Sequence, residues 1–301
     1  MKILILGLPY FAAKLAGDLA AVDRDNRYVA VDTARGWRGQ LACLWHMLSA
    51  RTVYLIGGST ERGGALRLAM LLNKRIVMHW VGTDVLNARA RCRAGTADAA
   101  LLAASRHLCE VAWLREELLE VGIDAAIAQI ACFDDGATAP APWPARFSLL
   151  SYMGKGRERF YGMDKLIELA KAFPDVPLRI AGIAEYGEAL PPNIQLLGWV
   201  GDMARQYRDC VLYLRLPEHD GLAFSLLEAL AAGRYVGYTY AYPHATAIAT
   251  PDELQRLVAD LRARHEAGTL APNTAGQSHV LEQHGRARVA GALAAILTGA
   301  A

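Results

Sequence analysis

Short apolar runs alternate with helical patterns through the first half of the chain. Six runs have the length and composition of buried strands: Ile3–Leu6, Tyr28–Val31, Val53–Ile56, Arg75–His79, Ala100–Ala104 and Ala126–Ile130. Helical patterns lie between them; a helix is expected over about residues 10–22, and the clearest patterns cover residues 62–72 and 107–121. Because the strand runs are continuously apolar and do not alternate, both strand faces are expected to be buried, as in the parallel sheet of an α/β domain.

The pattern breaks at residues 137–145, where three prolines fall within five positions, and it restarts afterwards. Prolines so close together cannot continue a helix or a central strand, so this stretch is predicted to be a linker. The chain is therefore expected to hold a Rossmann-like domain over 1–138, a linker over 139–145 and a second Rossmann-like domain over 146–301. One open alternative is that the last helix crosses back to the first domain. The cleft between two such sheets is the expected ligand site.

The second half repeats the same alternation. Its strand candidates are Phe147–Tyr152, Leu178–Ala181, Ile194–Leu197, Val211–Arg215 and Tyr235–Thr239. Its helical patterns are Met163–Phe173, Met203–Arg208, Ala223–Ala232, Pro251–Glu266 and Val280–Leu297.

Composition and charge narrow the class of protein. The chain has 301 residues, of which 53% are hydrophobic, and its 32 Lys and Arg nearly cancel 30 Asp and Glu. A net charge of +2 gives no strong field for nucleic acid, so no nucleic-acid partner is expected. The five cysteines are scattered without a Cys-x-x-Cys pair, which is typical of reduced thiols in a cytoplasmic protein.

The apolar N-terminus resembles the core of an export signal, but Gly7 and Pro9 interrupt it, so a strand, a turn and a helix are predicted. No run reaches the ~18–20 apolar residues that span a bilayer. We therefore expect a cytoplasmic protein, with peripheral contact at the inner membrane face as an open alternative.

The segment from Leu216 to Gly233 is the most informative for chemistry. A strand candidate ends in a polar loop, Gly221 permits close backbone approach, and an apolar helix follows whose first N–H groups can hold a phosphate. Glu228 is the only charge on that helix, so its burial would need a hydrogen-bond partner such as a sugar diol. The alternative is a solvent-facing Glu on an amphipathic helix.

This segment resembles the signature of retaining GT-B glycosyltransferases, in particular glycosyltransferase family 4, in which two acidic residues stand eight positions apart. Here the first acid is Asp220, where the family usually has Glu, and the second is Glu228. The resemblance implies that Glu228 holds the nucleotide ribose of the donor. It also implies that Asp220 and the backbone of Gly221, Leu222 and Ala223 hold the donor sugar and diphosphate.

A second match to the same family lies in the glycine- and arginine-rich loop before the helix that begins near Gly162. Arginine can grip phosphate oxygens with two hydrogen bonds, so cations at a helix N-terminus suit a diphosphate. The family usually has Lys before this glycine, but Tyr161 stands there. Lys155, Arg157 or Arg159 is expected to replace it, with Arg157 and Lys155 favoured. The alternative is a solvated basic loop.

His79 ends a strand candidate in the first half, where a parallel sheet would turn it toward the cleft. Its segment, His-Trp-x-Gly-Thr-Asp, is similar to a family element whose His contacts the donor sugar, which implies a catalytic role. A packing histidine is the alternative. Thr83 or Asp84 is expected to cap the next helix, and Ser105 the one after it.

Two glycine turns follow strand candidates at Gly7 and Gly57. In the family the corresponding turns touch the acceptor, which implies acceptor-site roles for Tyr10, Ser59, Thr60 and Arg62. Neither turn has the dinucleotide-binding or P-loop pattern, and no His/Cys/Asp cluster has metal-ligand spacing. No cofactor and no metal are therefore predicted.

The resemblance to this family implies a metal-independent, retaining glycosyltransferase of the GT-B fold. It would move a sugar from a nucleotide diphosphate donor, a UDP- or GDP-sugar above all, to a hydroxyl acceptor on a glycan, a lipid or a small molecule. Arg157, Lys155 and a helix N-terminus would stabilise the leaving diphosphate. Two alternatives stay open: a non-catalytic member that binds a sugar nucleotide or partners an active subunit, and a nucleotide-sugar epimerase.

Overall fold

The computed structural model describes residues 1–134, 140 and 142–300, and it divides into two compact units. The described residues of the first unit are 1–134, 220–222 and 283–300, and those of the second are 140, 142–219 and 223–282. The predicted boundary between residues 138 and 139 lies outside the described residues.

The first unit is built on a six-stranded parallel sheet in the order β2-β1-β3-β4-β5-β6. Its strands are β1 (Lys2–Leu6), β2 (Arg27–Ala30), β3 (Thr52–Ile56), β4 (Arg75–Trp80), β5 (Ser105–Cys109) and β6 (Ala125–Ile127). The helices of this part of the chain are α1 (Pro9–Val22), α2 (Trp37–Ser49), α3 (Gly64–Leu71), α4 (Thr83–Arg93), α5 (Ala99–Ala103) and α6 (Ala112–Leu119).

The second unit is built on another six-stranded parallel sheet, in the order β12-β11-β10-β7-β8-β9. Its strands are β7 (Leu149–Tyr152), β8 (Leu178–Ala181), β9 (Ile194–Gly198), β10 (Leu212–Arg215), β11 (Tyr235–Tyr238) and β12 (Thr246–Ala247). The helices of this second part of the chain are α7 (Met163–Ala172), α8 (Met203–Arg208), α9 (Phe224–Ala231), α10 (Pro251–Glu266) and α11 (Thr274–Gln283), and the chain continues into α12 (Arg286–Thr298), which is not part of the second unit.

The last helix, α12, belongs to the first unit and packs against α1. The Arg286 guanidinium donates to the Asp18 carboxylate over 2.8 Å. Near the other end of α12, the Thr52 hydroxyl donates to the Leu297 carbonyl over 3.0 Å. These contacts, one at each end of α12, tie the chain terminus to residues far away in sequence.

The central strands are buried, which explains their continuously apolar sequences. Ile3, Leu4 and Ile5 of β1 and Leu212 and Leu214 of β10 have no exposed surface. Two parallel sheets with buried strands and covering helices confirm the predicted α/β class and the two Rossmann-like sheets. None of the described helices is long and apolar enough to cross a bilayer.

Three predicted elements are wrong. Residues 100–104 are not a strand: Asp98 accepts a hydrogen bond from the Leu101 N–H and caps α5 there. The next strand is β5, so the helix predicted over 107–121 begins only at Ala112. Ser105 caps no helix; it lies in β5 and donates to the Leu101 carbonyl.

The third wrong element is the single helix predicted over 280–297, which is two helices. The break lies at His284 and Gly285, whose backbone pairs with Phe133 as an isolated β-bridge. The His284 carbonyl accepts the Phe133 N–H, and the Phe133 carbonyl accepts the Arg286 N–H. A tertiary contact therefore interrupts a pattern that is locally helical.

Candidate functional site

The loop after β10 leads into the start of α9. The helix begins at Phe224, and its N-cap residue Ala223 has extended backbone angles and no side-chain capping bond. The positive end of the helix dipole favours a negative charge at this position. Leu222 and Ala223 are both buried, so this loop forms part of a packed structure.

Glu228 lies in the middle of α9 and is half-buried. The hydroxyl of Tyr207, at the end of α8, donates a hydrogen bond to Glu228 Oε2 over 2.9 Å. Burial, then the neighbouring Tyr213 and Glu228, raise the pKa of Tyr207, which therefore remains a protonated donor. The solvent-facing alternative for Glu228 does not describe this helix, because the carboxylate is partly shielded and held by a tyrosine.

The residues Asp220–Leu222 belong to the first unit. There the Trp113 indole N–H donates to the Asp220 carbonyl over 3.0 Å. A Cβ on Gly221 would lie 2.2 Å from the Val81 carbonyl oxygen, so only glycine fits this backbone approach. Gly221 therefore lies close to the backbone of Val81 in the same unit, and its role in donor binding stays a prediction.

His79 ends β4 and is fully buried. The Tyr54 hydroxyl lies 2.7 Å from His79 Nδ1, and burial lowers the pKa of His79 to about 3, with a smaller opposing effect from the backbone of Ala128. Burial also raises the pKa of Tyr54, which makes its hydroxyl the donor of the pair. A neutral, buried imidazole at this place fits the packing alternative; its catalytic role stays a prediction.

Asp84 organises the turn between β4 and α4. The N-cap residue of α4 is Gly82, so neither Thr83 nor Asp84 occupies the predicted cap position. The Asp84 carboxylate nevertheless accepts backbone N–H groups of Gly58 at 2.6 Å, Gly82 at 2.7 Å and Val81 at 3.1 Å. Burial raises the pKa of Asp84, and these hydrogen bonds oppose that effect.

Glu110, directly after β5, is a buried acid that the sequence reasoning missed. Burial raises its pKa well above the ordinary range, and the Asp220 and Asp84 carboxylates add to that effect. Among the described residues, none donates to or accepts from Glu110 Oε1. The available signal was an acid placed immediately after an apolar strand, at the carboxyl edge where parallel α/β sheets collect functional groups.

Three loop cations of the second unit were predicted to meet a diphosphate. Each of them contacts another side chain of that unit. Lys155 forms an ion pair with Glu185 at 3.2 Å, and Arg159 forms one with Glu188 at 2.6 Å. The Arg157 guanidinium lies 4.5 Å from the centre of the Phe160 ring. Both ion pairs are exposed, so they hold the side chains only weakly and can be replaced by a phosphate.

A fourth cation, Arg215, was also missed. It ends β10 and is buried, with its guanidinium 4.6 Å from the centre of the Tyr161 ring and one nitrogen 3.4 Å from the Tyr152 carbonyl. Tyr161 is the residue that stands in place of the expected lysine, so a cation does occur beside that position. Next to it, Gly162 has a left-handed backbone (φ +88°), and a Cβ there would lie 2.5 Å from the Leu216 carbonyl oxygen.

The four predicted acceptor residues lie in two turns of the first unit. Tyr10 is largely exposed, whereas Thr60 is buried. Arg62 forms an ion pair with Asp98, and the Ser59 hydroxyl is used within its own turn. Tyr10 is thus the most accessible of the four, and all four acceptor assignments stay predictions.

The described part of the chain holds no group of three or more His, Cys, Asp or Glu side chains placed to bind a metal ion. All five cysteines are free thiols. Independence from metal stays a prediction about the reaction.

No protein-family model matches the chain, and no curated protein matches it. Solved structures do match. Sucrose-phosphate synthase from Thermosynechococcus elongatus superposes with a TM-score of 0.69 at 11% identity, over 100% of both chains. The pneumococcal O-GlcNAc transferase GtfA, solved with UDP and GlcNAc, gives 0.60 at 14% identity, over 87% of this chain and 59% of GtfA.

A third match is the putative UDP-N-acetylglucosamine 2-epimerase from Listeria monocytogenes, with a TM-score of 0.56 at 14% identity, over 99% of this chain and 96% of that one. Because the identities are so low, these similarities establish the fold alone. That fold is the two-unit, Rossmann-like GT-B fold. The chain spans about three fifths of the length of GtfA.

Proposed function

We propose that the protein is a glycosyltransferase that moves a sugar from a nucleotide diphosphate donor to a hydroxyl acceptor. The observation that carries the proposal is the half-buried Glu228 of α9, held by the Tyr207 hydroxyl and placed eight residues after Asp220. A carboxylate in this position can accept hydrogen bonds from the two hydroxyls of a ribose. Tyr207 would orient it before the donor arrives.

The diphosphate would lie at the N-terminus of α9. The helix dipole and cations of the second unit would balance its charge as the glycosidic bond breaks, and the roles of Gly221 and Leu222 rest on the family resemblance. Arg215, which is buried at the end of β10, is one candidate cation. The exposed Arg157, Lys155 and Arg159 would bind the phosphates by exchanging their present partners. Such a site needs no metal and no resident cofactor.

The finer features of the proposal rest on the resemblance to family 4. They are retention of anomeric configuration, a role for Asp220 at the donor sugar, and acceptor contacts through Tyr10, Ser59, Thr60 and Arg62. A UDP-sugar is the first donor to test, because the GtfA structure contains UDP. A GDP-sugar is the second.

Thermal denaturation of the full chain with UDP, GDP, ADP and TDP sugars tests the proposal. A ligand that binds only the folded state raises the melting temperature, and above its dissociation constant the stabilisation grows with the logarithm of ligand concentration. We expect one nucleotide family to raise the melting temperature in this concentration-dependent way. If no nucleotide sugar shifts it at millimolar concentration, the proposal is wrong.

An epimerase is the second candidate, because the Listeria putative epimerase shares the fold over nearly its whole length. Incubation with the stabilising donor alone separates the two activities. A changed sugar stereocentre without acceptor identifies an epimerase. Sugar transfer that requires a hydroxyl acceptor identifies the transferase. Binding without either reaction identifies the non-catalytic alternative.

A further inference from the structure

Helix α2 of the first unit is apolar on two opposite faces. Gly39, Cys43 and Met47 form the buried face. Five large apolar side chains are exposed on the opposite face: Trp37, Leu41, Leu44, Trp45 and Leu48. Their spacing of four, three, one and three residues places them in one stripe along the helix, called here the α2 stripe.

The exposure of the α2 stripe is large. Trp37 is 66% exposed and Trp45 is 72% exposed, and on the neighbouring α3 Leu71 is 80% exposed. Single exposed apolar residues are common on protein surfaces, but a contiguous stripe of this kind marks an interaction surface. Burial in the core accounts for only the other face of α2, so the stripe needs a partner outside this fold.

The charges around the stripe are positive. No Asp or Glu occurs from Thr33 to Thr60. Arg38 lies over the Trp37 ring, 5.4 Å from its centre, at the start of the helix. At the other end the Lys74 ammonium donates to the Leu48 carbonyl over 3.1 Å.

Two further exposed arginines flank the helix in sequence. Arg35 precedes it, with its side chain 82% exposed and 3.9 Å from Asp32, and Arg51 follows it. Cationic residues therefore lie at both ends of the α2 stripe. This combination of an apolar face with tryptophans and flanking Lys and Arg is what an anionic bilayer surface attracts.

We propose that the α2 stripe binds the surface of an anionic lipid bilayer, with α2 lying in the plane of the interface. Tryptophan suits the membrane–water interface, since its ring is apolar and its N–H remains near water. A second copy of the chain is a poorer occupant, because a two-fold contact through this face would set the same cations opposite one another. This inference goes beyond the proposed function and does not depend on it.

Vesicle co-sedimentation tests the proposal. We expect the full chain to bind vesicles of phosphatidylglycerol and phosphatidylcholine, to bind phosphatidylcholine alone at least about tenfold more weakly, and to lose affinity at high salt. The double variant Leu41→Gln/Trp45→Gln should bind anionic vesicles about tenfold more weakly or worse. Its melting temperature should be unchanged, because both side chains are exposed.

The matched control is Trp199→Gln, which removes an exposed tryptophan (81%) from the second unit. It should bind vesicles as the wild type does. The variant Arg35→Gln/Arg38→Gln should lower binding to anionic vesicles while leaving binding to neutral vesicles unchanged. The proposal is overturned if the wild type does not bind anionic vesicles, or if the stripe variant and the Trp199→Gln control bind them with equal affinity.

Sedimentation velocity without lipid tests whether a second copy of the chain, rather than a bilayer, binds the α2 stripe. We expect the same monomeric species for the wild type and the stripe variant. A wild-type dimer that becomes monomeric in the stripe variant, without vesicle binding, would assign the stripe to self-association and overturn the lipid proposal.

Discussion

The Tyr207 hydroxyl donates a hydrogen bond to Glu228 Oε2 over 2.9 Å, from the end of α8 to the middle of α9. Tyr207 is buried, so its position is fixed by packing before any ligand binds. The carboxylate that is proposed to hold the donor ribose is thereby oriented by a second side chain.

Tyr207→Phe removes this donor and leaves the ring. We expect a loss of about 1.5–3 kcal/mol in the free energy of unfolding, typical of a hydrogen bond to a charged group, together with weaker nucleotide-sugar binding. Urea denaturation and calorimetry measure the two effects. Tyr235→Phe is the control: its hydroxyl donates to the Ala271 carbonyl, so donor binding should stay unchanged. Equal donor affinity in Tyr207→Phe and the wild type would contradict the orienting role.

Gly162→Ala tests the backbone at the start of α7. The new Cβ would lie 2.5 Å from the Leu216 carbonyl oxygen at a left-handed φ of +88°. We expect a loss of about 2 kcal/mol or more in the free energy of unfolding, because both the left-handed angle and the clash are costly. Gly187→Ala, which has no atom within 4 Å of its new Cβ, should change stability little. A similar loss in both variants would contradict the steric argument.

His79 predicts a decline of stability in acid. Burial lowers its pKa to about 3 in the folded state, whereas the unfolded chain has the ordinary value of 6.5. The unfolded state therefore binds more protons, so this contribution is complete above pH 6.5 and is lost as the pH falls toward 3. His79→Gln cannot take up this proton. Its free energy of unfolding should fall less steeply than that of the wild type between pH 6.5 and 4, and parallel curves would contradict the assignment.

Glu110 predicts the opposite pH dependence. Its folded pKa is raised well above 4.5, first by burial and then by Asp220 and Asp84, so the folded state retains a proton that the unfolded state releases. Its contribution is complete below pH 4.5 and is lost as the pH rises through the folded pKa. Glu110→Gln keeps the shape without the charge. Its advantage over the wild type should grow as the pH rises from 5 to 8, and an advantage independent of pH would contradict the raised pKa.

The apolar pattern predicted most of the strands within two residues, because a buried parallel strand is continuously apolar. The apolar pattern gave wrong elements where a capping or tertiary contact determined the structure. Ala99–Ala103 is apolar enough for a strand, but the Asp98 cap makes it a helix. The helical pattern around His284 is interrupted by a bridge to Phe133, which no local rule can indicate. Helix α2 was not predicted, because apolar residues lie on two of its faces and its sequence therefore lacks a clear helical alternation of apolar and polar positions.

A motif singled out Gly221 and Glu228 from the sequence, and their roles in donor binding stay predictions. Side-chain orientation was less predictable. The position of His79 at the end of a strand left a cleft-facing and a packing histidine open, and the structure adds that the imidazole is buried beside the Tyr54 hydroxyl. Arg215 and Tyr207 were missed because neither is a member of a motif, and only the fold brings them to Tyr161 and Glu228.

The most direct test of the donor site is isothermal titration calorimetry of the full chain with the nucleotide sugar that stabilises it. Wild type, Glu228→Ala and Glu168→Ala are compared; the last removes an exposed glutamate from α7. We predict that Glu228→Ala weakens donor binding about tenfold or more, the loss expected when charge-assisted hydrogen bonds to ribose are removed, and that Glu168→Ala binds like the wild type. A folded Glu228→Ala variant with wild-type affinity would contradict the proposed function at its centre.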